Sequence, residues 1–237
     1  MLDTHCHLTS TQLSDSVDDV LARAADAGVT GMITVSTSMR DCAAGLELAT
    51  AHPNVWCTSG IHPHEADSDV DWSIVEAVAA DDRCVAWGEL GLDWYYKQPE
   101  RPSQHALLER HLEVITAATG RQATMPIVIH CRDAYEDLLA ILRDSGLDPT
   151  RFVFHCFTGD EQAIDLVLDF GAHVSFTGIV TFGNAADIQA AASRVPLDRM
   201  MIETDAPYLS PEPVRSMRPN EPCNVAHTAR FLAELRN

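Results

Sequence analysis

Six residues have the types and positions of a metal site: His5, His7, Glu89, His130, His155 and Asp205. Each stands where a short apolar run, legible as a β-strand, gives way to polar sequence; the runs are Met1–Leu2, Cys84–Trp87, Pro126–Ile129, Phe152–Phe154 and Met200–Ile202. His5 and His7 form an H-x-H pair. At strand spacing the two share a face, so their imidazoles can close on one cation. Glu89 has two carboxylate oxygens and can bridge two cations, which a single imidazole cannot. His130 and His155 end adjacent strands and can supply two nitrogens to a second cation, while Asp205 can complete the shell of the first. Nitrogen and carboxylate donors without thiolates suit Zn²⁺, Mn²⁺, Co²⁺ or Mg²⁺. Two such cations activate a water and stabilise the negative charge that develops during hydrolysis of a phosphate ester or acyl bond. The expected activity is metal-dependent hydrolysis, with Glu89 holding the cations and Asp205 orienting the water and accepting its proton.

Other residues are expected to support this site. Asp3 lies on the His5 face, one layer lower, and can accept a hydrogen bond from a ligand imidazole or be an ordinary buried acid. Glu203 stands two residues before Asp205 and should point inward one layer deeper, bracing a ligand histidine. His62 and His64, in GIHPH at the end of the third strand, can be further ligands, phosphate contacts or supports of the ligands, and contact with substrate is the favoured reading. Arg132 can pair with a phosphate bidentately. Trp94, Tyr95 and Tyr96 can stack on a base or pack a loop onto the body of the protein. His52, His105, His111, His173 and His227 fall in or beside regular elements and read as structural or solvent-exposed.

The elements that must position these residues alternate strand and helix eight times. The expected strands are Met1–Cys6, Thr30–Val35, Val55–Gly60, Cys84–Gly88, Met125–His130, Phe152–His155, Ala172–Phe176 and Arg199–Glu203. Between them run helical patterns such as Val17–Ala27, whose Val17, Val20, Leu21 and Ala24 have helical spacing and whose stop is Gly28. A long loop, 89–101, follows the fourth strand. Parallel strands in this order predict one (β/α)₈ TIM barrel over residues 1–237, with the active site at the C-terminal ends of the strands.

Composition narrows the function. Sixteen basic residues face 35 acidic ones for a net charge of −19, and Lys97 is the only lysine. That balance opposes non-specific duplex binding, which neutralises many phosphates with cations. It leaves room for a nucleic-acid substrate held locally, because two divalent cations make the site positive inside a negative protein. No apolar stretch is long enough to span a bilayer and no signal peptide is legible, so a cytoplasmic protein is expected. No obligate protein partner is legible. The seven cysteines contain no C-x-x-C pair. Cys6, Cys131 and Cys156 each follow a candidate ligand histidine, and strand alternation should turn them away from the metals into the helix layer.

Taken in order, DTHCHL, GIHPH, GELGLDWYY, IVIHCRDA, FHCFTGD and IETDAPYLSP resemble the TatD family of metal-dependent deoxyribonucleases in the amidohydrolase superfamily. The resemblance runs from Asp3 to about Pro222. It implies a TIM barrel, a two-metal centre and hydrolysis of DNA phosphodiesters, often as a 3′-to-5′ exonuclease on single-stranded ends. It further implies His5, His7 and Asp205 on the first metal, Glu89 as the bridge, and His130 and His155 on the second. TatD-like proteins that deacylate D-aminoacyl-tRNA supply the alternative substrate. Two departures stand out. VRSMRPNEP keeps Asn220, Glu221 and Pro222 but has fewer charges than the basic stretch usual in the family. The sequence also ends at Asn237, where relatives continue into a further short helical segment.

Overall fold

In the computed structural model, which describes residues 1–236, eight parallel strands form one sheet in chain order. They are β1 (Leu2–Cys6), β2 (Gly31–Thr34), β3 (Val55–Ser59), β4 (Cys84–Asp93), β5 (Ile127–Arg132), β6 (Phe152–Phe154), β7 (His173–Phe176) and β8 (Met200–Ile202). The ring is completed where the ends of β8 and β1 meet. Cys6 bridges Ala206, the His7 amide donates to Ala206 O at 2.7 Å, and the Asp205 amide donates to His5 O at 2.9 Å. The architecture is the expected (β/α)₈ barrel, with helices α1 (Val17–Asp26), α2 (Met39–Ala51), α3 (Trp72–Ala80), α4 (Arg101–Ala117), α5 (Tyr135–Asp144), α6 (Glu161–Phe170), α7 (Ala186–Arg194) and α8 (Val225–Leu235) outside it.

Local chemistry explains the helix limits. In α1 the residues Val20, Leu21 and Ala24 are buried on one face, and Gly28 beyond its end takes φ +81°. In α6 the Asp160 side chain accepts from the Ala163 amide, satisfying a donor that the first turn leaves orphaned. Gly171 ends that helix in the left-handed conformation at φ 105°. The largest fully buried side chains include Trp87, Phe152, Phe154 and Phe176, and Trp87 Nε1 donates to Gln122 O at 3.0 Å. Among the described residues no helix is long and apolar enough to cross a membrane.

The main departure from expectation is β4. Instead of ending at Gly88 it continues through Glu89 to Asp93, taking in residues assigned to a loop. The glycines of GELGLD look like turn residues, but here they allow close packing of strands. A Cβ on Gly91 would lie 1.9 Å from His130 O, and one on Gly88 would lie 2.7 Å from Val128 O. Both glycines also have φ values, +148° and +128°, that L side chains rarely adopt. The longer strand puts Glu89, Gly91 and Asp93 at alternate positions and carries a second carboxylate to the barrel mouth.

Candidate metal centre

The C-terminal ends of the strands open into a cavity of about 1160 Å³, and the six expected ligand residues converge at its floor. On one side, His5 Nε2 lies 3.3 Å from His7 Nε2 and 3.3 Å from Glu89 Oε2. Asp205 Oδ1 is 3.2 Å from His7 Nε2 and 3.7 Å from His5 Nε2. On the other side, Glu89 Oε1 is 2.7 Å from His155 Nε2 and 2.9 Å from His130 Nδ1, and those two nitrogens are 3.5 Å apart. The two oxygens of Glu89 therefore face different groups of donors. Nitrogens 3.3–3.5 Å apart match a tetrahedral edge, which is about 3.4 Å when each ligand is about 2.1 Å from a metal.

Outward-facing contacts fix which nitrogen of each ring points inward. His7 Nδ1 lies 3.0 Å from Val35 O, a carbonyl that can only accept. His155 Nδ1 lies 3.3 Å from Glu203 Oε1, and His130 Nε2 lies 3.1 Å from Asp93 Oδ2. Each outer nitrogen thus has a fixed acceptor for its proton, so the inner nitrogen is the one that can give up its proton to a cation. His5 is fully buried; its Nδ1 has no hydrogen-bond partner among the described residues, and its polar side-chain contacts run through Nε2 towards the cluster. His62 is different. Its Nδ1 accepts from the His64 amide, so its Nε2, 3.5 Å from Glu89 Oε1, carries a proton. That ring is a donor facing the cavity, although it lies close enough to Glu89 and His130 to count geometrically among metal-binding groups.

The electrostatics of the site favour positive charge between the rings. Burial opposes ionisation of Glu89, yet the facing imidazoles of His155, His62 and His130 hold its pKa well below the usual carboxylate range. Asp205 is also lowered, with His7 outweighing the effect of burial. Burial disfavours a charged His155, but Glu89 and Glu203 raise its pKa well above the ordinary value. His7, opposed by burial and favoured by Asp205, is raised to about 9. Burial dominates at His62 and, with His130 adding repulsion, holds it well below the usual value, so that ring is neutral. Buried carboxylates that draw positive charge onto the facing rings form, with those rings, a donor set suited to divalent cations. His5, His7, Glu89 and Asp205 would hold one, and Glu89, His130 and His155 another.

Several supporting residues stand elsewhere than expected. Asp3 does not reach an imidazole. It accepts from the His5 amide at 3.3 Å and from Thr204 through the amide at 2.9 Å and Oγ1 at 2.5 Å. A short side chain one layer below His5 spans sideways to the neighbouring chain more easily than upward to the ring. Burial raises its pKa to about 8 despite those donors. Glu203 faces inward below the cluster, held by Ser175 Oγ at 2.5 Å and the Cys156 amide at 2.7 Å. Cys6 and Cys131 are buried, though Cys131 also touches the cavity wall. Cys156 borders the cavity itself, with Sγ 3.6 Å from Thr177 Oγ1. It follows the end of β6 at φ 43°, where strand alternation no longer applies. His64 Nε2 lies 3.0 Å from Asp93, and Arg132 stacks with its Cζ 3.6 Å from the Tyr95 ring centre. Trp94 is turned away to Asp137, His105 and Arg101 and packs its loop.

Asp93 is the residue that sequence reasoning missed. It is buried, and one oxygen serves both His130 and His64 while the other accepts from the Tyr95 and Tyr96 amides. The available signal was period two: Glu89 and Asp93 share a face only if GELGLD is extended.

Comparison with known proteins agrees with this geometry. A family model described as TatD related DNase matches residues 2–237. An uncharacterized metal-dependent hydrolase of Escherichia coli K12, YcfH, is 38% identical over all of this chain and 88% of its own length. A protein of Edwardsiella piscicida named 3′-5′ ssDNA/RNA exonuclease TatD is 35% identical, with 100% of this chain and 92% of that protein aligned. The crystal structure of YjjV, a TatD homologue from Escherichia coli K12, superposes with a TM-score of 0.90 at 28% identity, covering 99% of this chain and 90% of the other.

Proposed function

Starting from a chain that belongs to the TatD-related DNase family and is a metal-dependent hydrolase, we propose that it cleaves phosphodiester bonds at the 3′ ends of single-stranded DNA with two divalent cations. The observation that carries this reading is the division of labour at Glu89, whose two oxygens face two separate donor groups. Bound divalent cations lower the pKa of a water and stabilise charge on the phosphoryl group. Zn²⁺, Mn²⁺, Mg²⁺ and Co²⁺ all fit donors of this kind.

The chain's own residues supply the rest. Asp205 borders the cavity as a carboxylate, so it can orient the attacking water and take its proton. Its backbone has φ 55°, an uncommon conformation for a residue with a side chain, which turns the carboxylate back over His5 and His7. Neutral His62 presents Nε2–H to a phosphoryl oxygen, and His64 lies beside it. Among the described residues no carboxylate pairs with Arg132, and its guanidinium face lies over Tyr95, an arrangement suited to a phosphate. Glu203 and Asp93 fix the rings of His155 and His130 through the nitrogens that face away from the cations.

Among the described residues, the guanidinium groups bordering the cavity belong to Arg40 and Arg132 alone. A site with so few cations in a chain of charge −19 favours short, local engagement over tracking of a duplex. The free cysteines, most of them buried, accord with a reducing cytoplasm. The deciding experiment offers metal-loaded protein single-stranded DNA, duplex DNA, RNA and D-aminoacyl-tRNA side by side. Release of nucleotides from single-stranded 3′ ends is expected; rapid deacylation with DNA left intact would overturn the assignment.

A further inference from the structure

Two exposed tyrosines flank the two halves of the centre. Tyr208 is 52% exposed and Tyr96 50%, yet both border the cavity. The Tyr208 ring sits edge-on to His7, with centres 6.2 Å apart, on the side of the first donor group. The Tyr96 ring sits edge-on to His64 at 5.1 Å, and His64 is 6.2 Å from His130, on the side of the second. Half-exposed aromatic rings at a cavity mouth leave apolar surface in water that a partner can cover.

Their backbones are held by buried polar side chains. Asp93 accepts from the Tyr95 and Tyr96 amides at 2.9 and 3.3 Å. Buried Asn220 donates through Nδ2 to Tyr208 O at 2.6 Å and to Thr204 O at 3.2 Å, while its amide donates to Pro207 O at 2.9 Å. The Tyr208 amide in turn donates to Asp205 O at 2.9 Å. The NEP run is thus an internal clamp, and it fixes Tyr208 relative to Asp205 three residues away. Behind Tyr96, the Tyr95 ring packs edge-on at 4.9 Å, and the Arg132 Cζ lies 3.6 Å from the Tyr95 ring centre and 5.4 Å from that of Tyr96. Each exposed ring therefore stands on a turn tied to a residue of the centre, Asp205 on one side and, through Asp93, His130 on the other.

We propose that Tyr208 and Tyr96 are stacking platforms for the two nucleobases on either side of the scissile phosphate, so that a base is gripped at each end of the bond to be cut. This deepens the phosphodiesterase reading and rests on it. Rings of this kind stack on any base through its π-face. They require bases that are unpaired and splayed apart, which a duplex does not offer. Selection for single strands would then come from the tyrosines, with the arginines contributing charge and little discrimination.

The test uses the full chain loaded with Mn²⁺ and a trithymidylate made uncleavable by phosphorothioate linkages, alongside the same trimer with one base removed at each position in turn. Tyr208→Ala and Tyr96→Ala are each expected to weaken binding about 5- to 150-fold, and Phe at either position should restore it. Metal content should be unchanged, and on cleavable substrate KM should rise more than kcat falls. Each Ala variant should also be indifferent to removal of one particular base, because ring and base are lost from the same contact. Equal affinity of wild-type protein for the complete and the abasic trimers, with cleavage intact, would overturn the platforms and leave the phosphodiesterase standing. Wild-type protein that neither binds nor cleaves any oligonucleotide would overturn both.

Discussion

Replacing Asp93 by Asn isolates the contribution of one buried carboxylate to the second donor group. Oδ2 accepts from His130 Nε2 at 3.1 Å and His64 Nε2 at 3.0 Å; Oδ1 accepts from the Tyr95 and Tyr96 amides. All four partners are donors. A carboxylate serves both sides, whereas an amide has one accepting end. Either orientation of the substituted side chain points an NH₂ group at two further N–H groups. If it faces the tyrosine amides, the turn carrying Tyr96 loses its anchor, at a cost of about 1–3 kcal/mol for unsatisfied buried donors. If it faces His130, the ring loses the acceptor that holds its proton on Nε2 and presents Nδ1 to the cation. Loss of such an outer partner typically weakens metal binding about 10–100-fold, equivalent to about 1.4–2.7 kcal/mol. Asp93→Asn should therefore lower the unfolding free energy, weaken the second metal site by that factor, or divide the loss between the two. Calorimetric metal titration and denaturant unfolding on the same preparation measure both quantities. A variant with unchanged stability and an unchanged second dissociation constant would refute the assignment of Asp93 as the support of His130.

Asp205→Asn preserves shape while removing charge and proton-accepting capacity, so turnover should fall by at least about 10²–10⁴-fold, whereas Glu203→Gln should cost roughly 10–100-fold in activity or metal affinity. Steady-state kinetics of the two folded, metal-loaded variants separate them, and a larger defect in the Glu203 variant would reverse the roles. With Arg40 and Arg132 the guanidinium groups at the cavity, single-strand affinity should vary with salt at a log–log slope near −1.4, about −0.7 per phosphate contact; a steep slope would reveal a larger basic surface. His111 is buried, with its pKa lowered to about 4 chiefly by burial, and its Nε2 accepts from the Ile61 amide at 3.0 Å. The unfolded chain binds this proton below about pH 6.5 and the folded one does not. The stability contribution is thus present above 6.5 and lost as pH falls towards 4, by roughly 3 kcal/mol. A His111→Gln variant should flatten that acid limb in denaturant unfolding followed against pH.

The barrel was legible in the sequence because its signals are local and repeated. The signals that bound α3, Trp72–Ala80, are neighbouring residues: Asp71 caps the start by accepting from the Ser73 amide, and the apolar helix stops at polar Asp81. The six candidate ligands were legible because each ends an apolar run, and the structure brings all six together. What remained hidden depends on contacts between strands. Gly88 and Gly91 resemble turn residues, and only the proximity of the β5 backbone shows why they are glycine. Asp93 was lost with them. Asp3 stays open between an imidazole and an ordinary buried acid because alternation gives its face but not its neighbour, and Thr204 stands about two hundred residues away in sequence. Cys156 was turned the wrong way because strand alternation was extended two residues past the end of β6.

The central claim is that Glu89 joins two cation sites that act together, and metal counting during reactivation tests it most directly. Protein stripped by chelation is titrated with Mn²⁺ while bound metal per chain and release of nucleotides from a single-stranded 3′ end are measured in the same samples. Two Mn²⁺ per chain are expected, with turnover appearing only as the second site fills, and Glu89→Ala should retain neither at the same free Mn²⁺. Full turnover at one metal per chain, cleavage by verified metal-free protein, or two metals bound by Glu89→Ala would contradict the account.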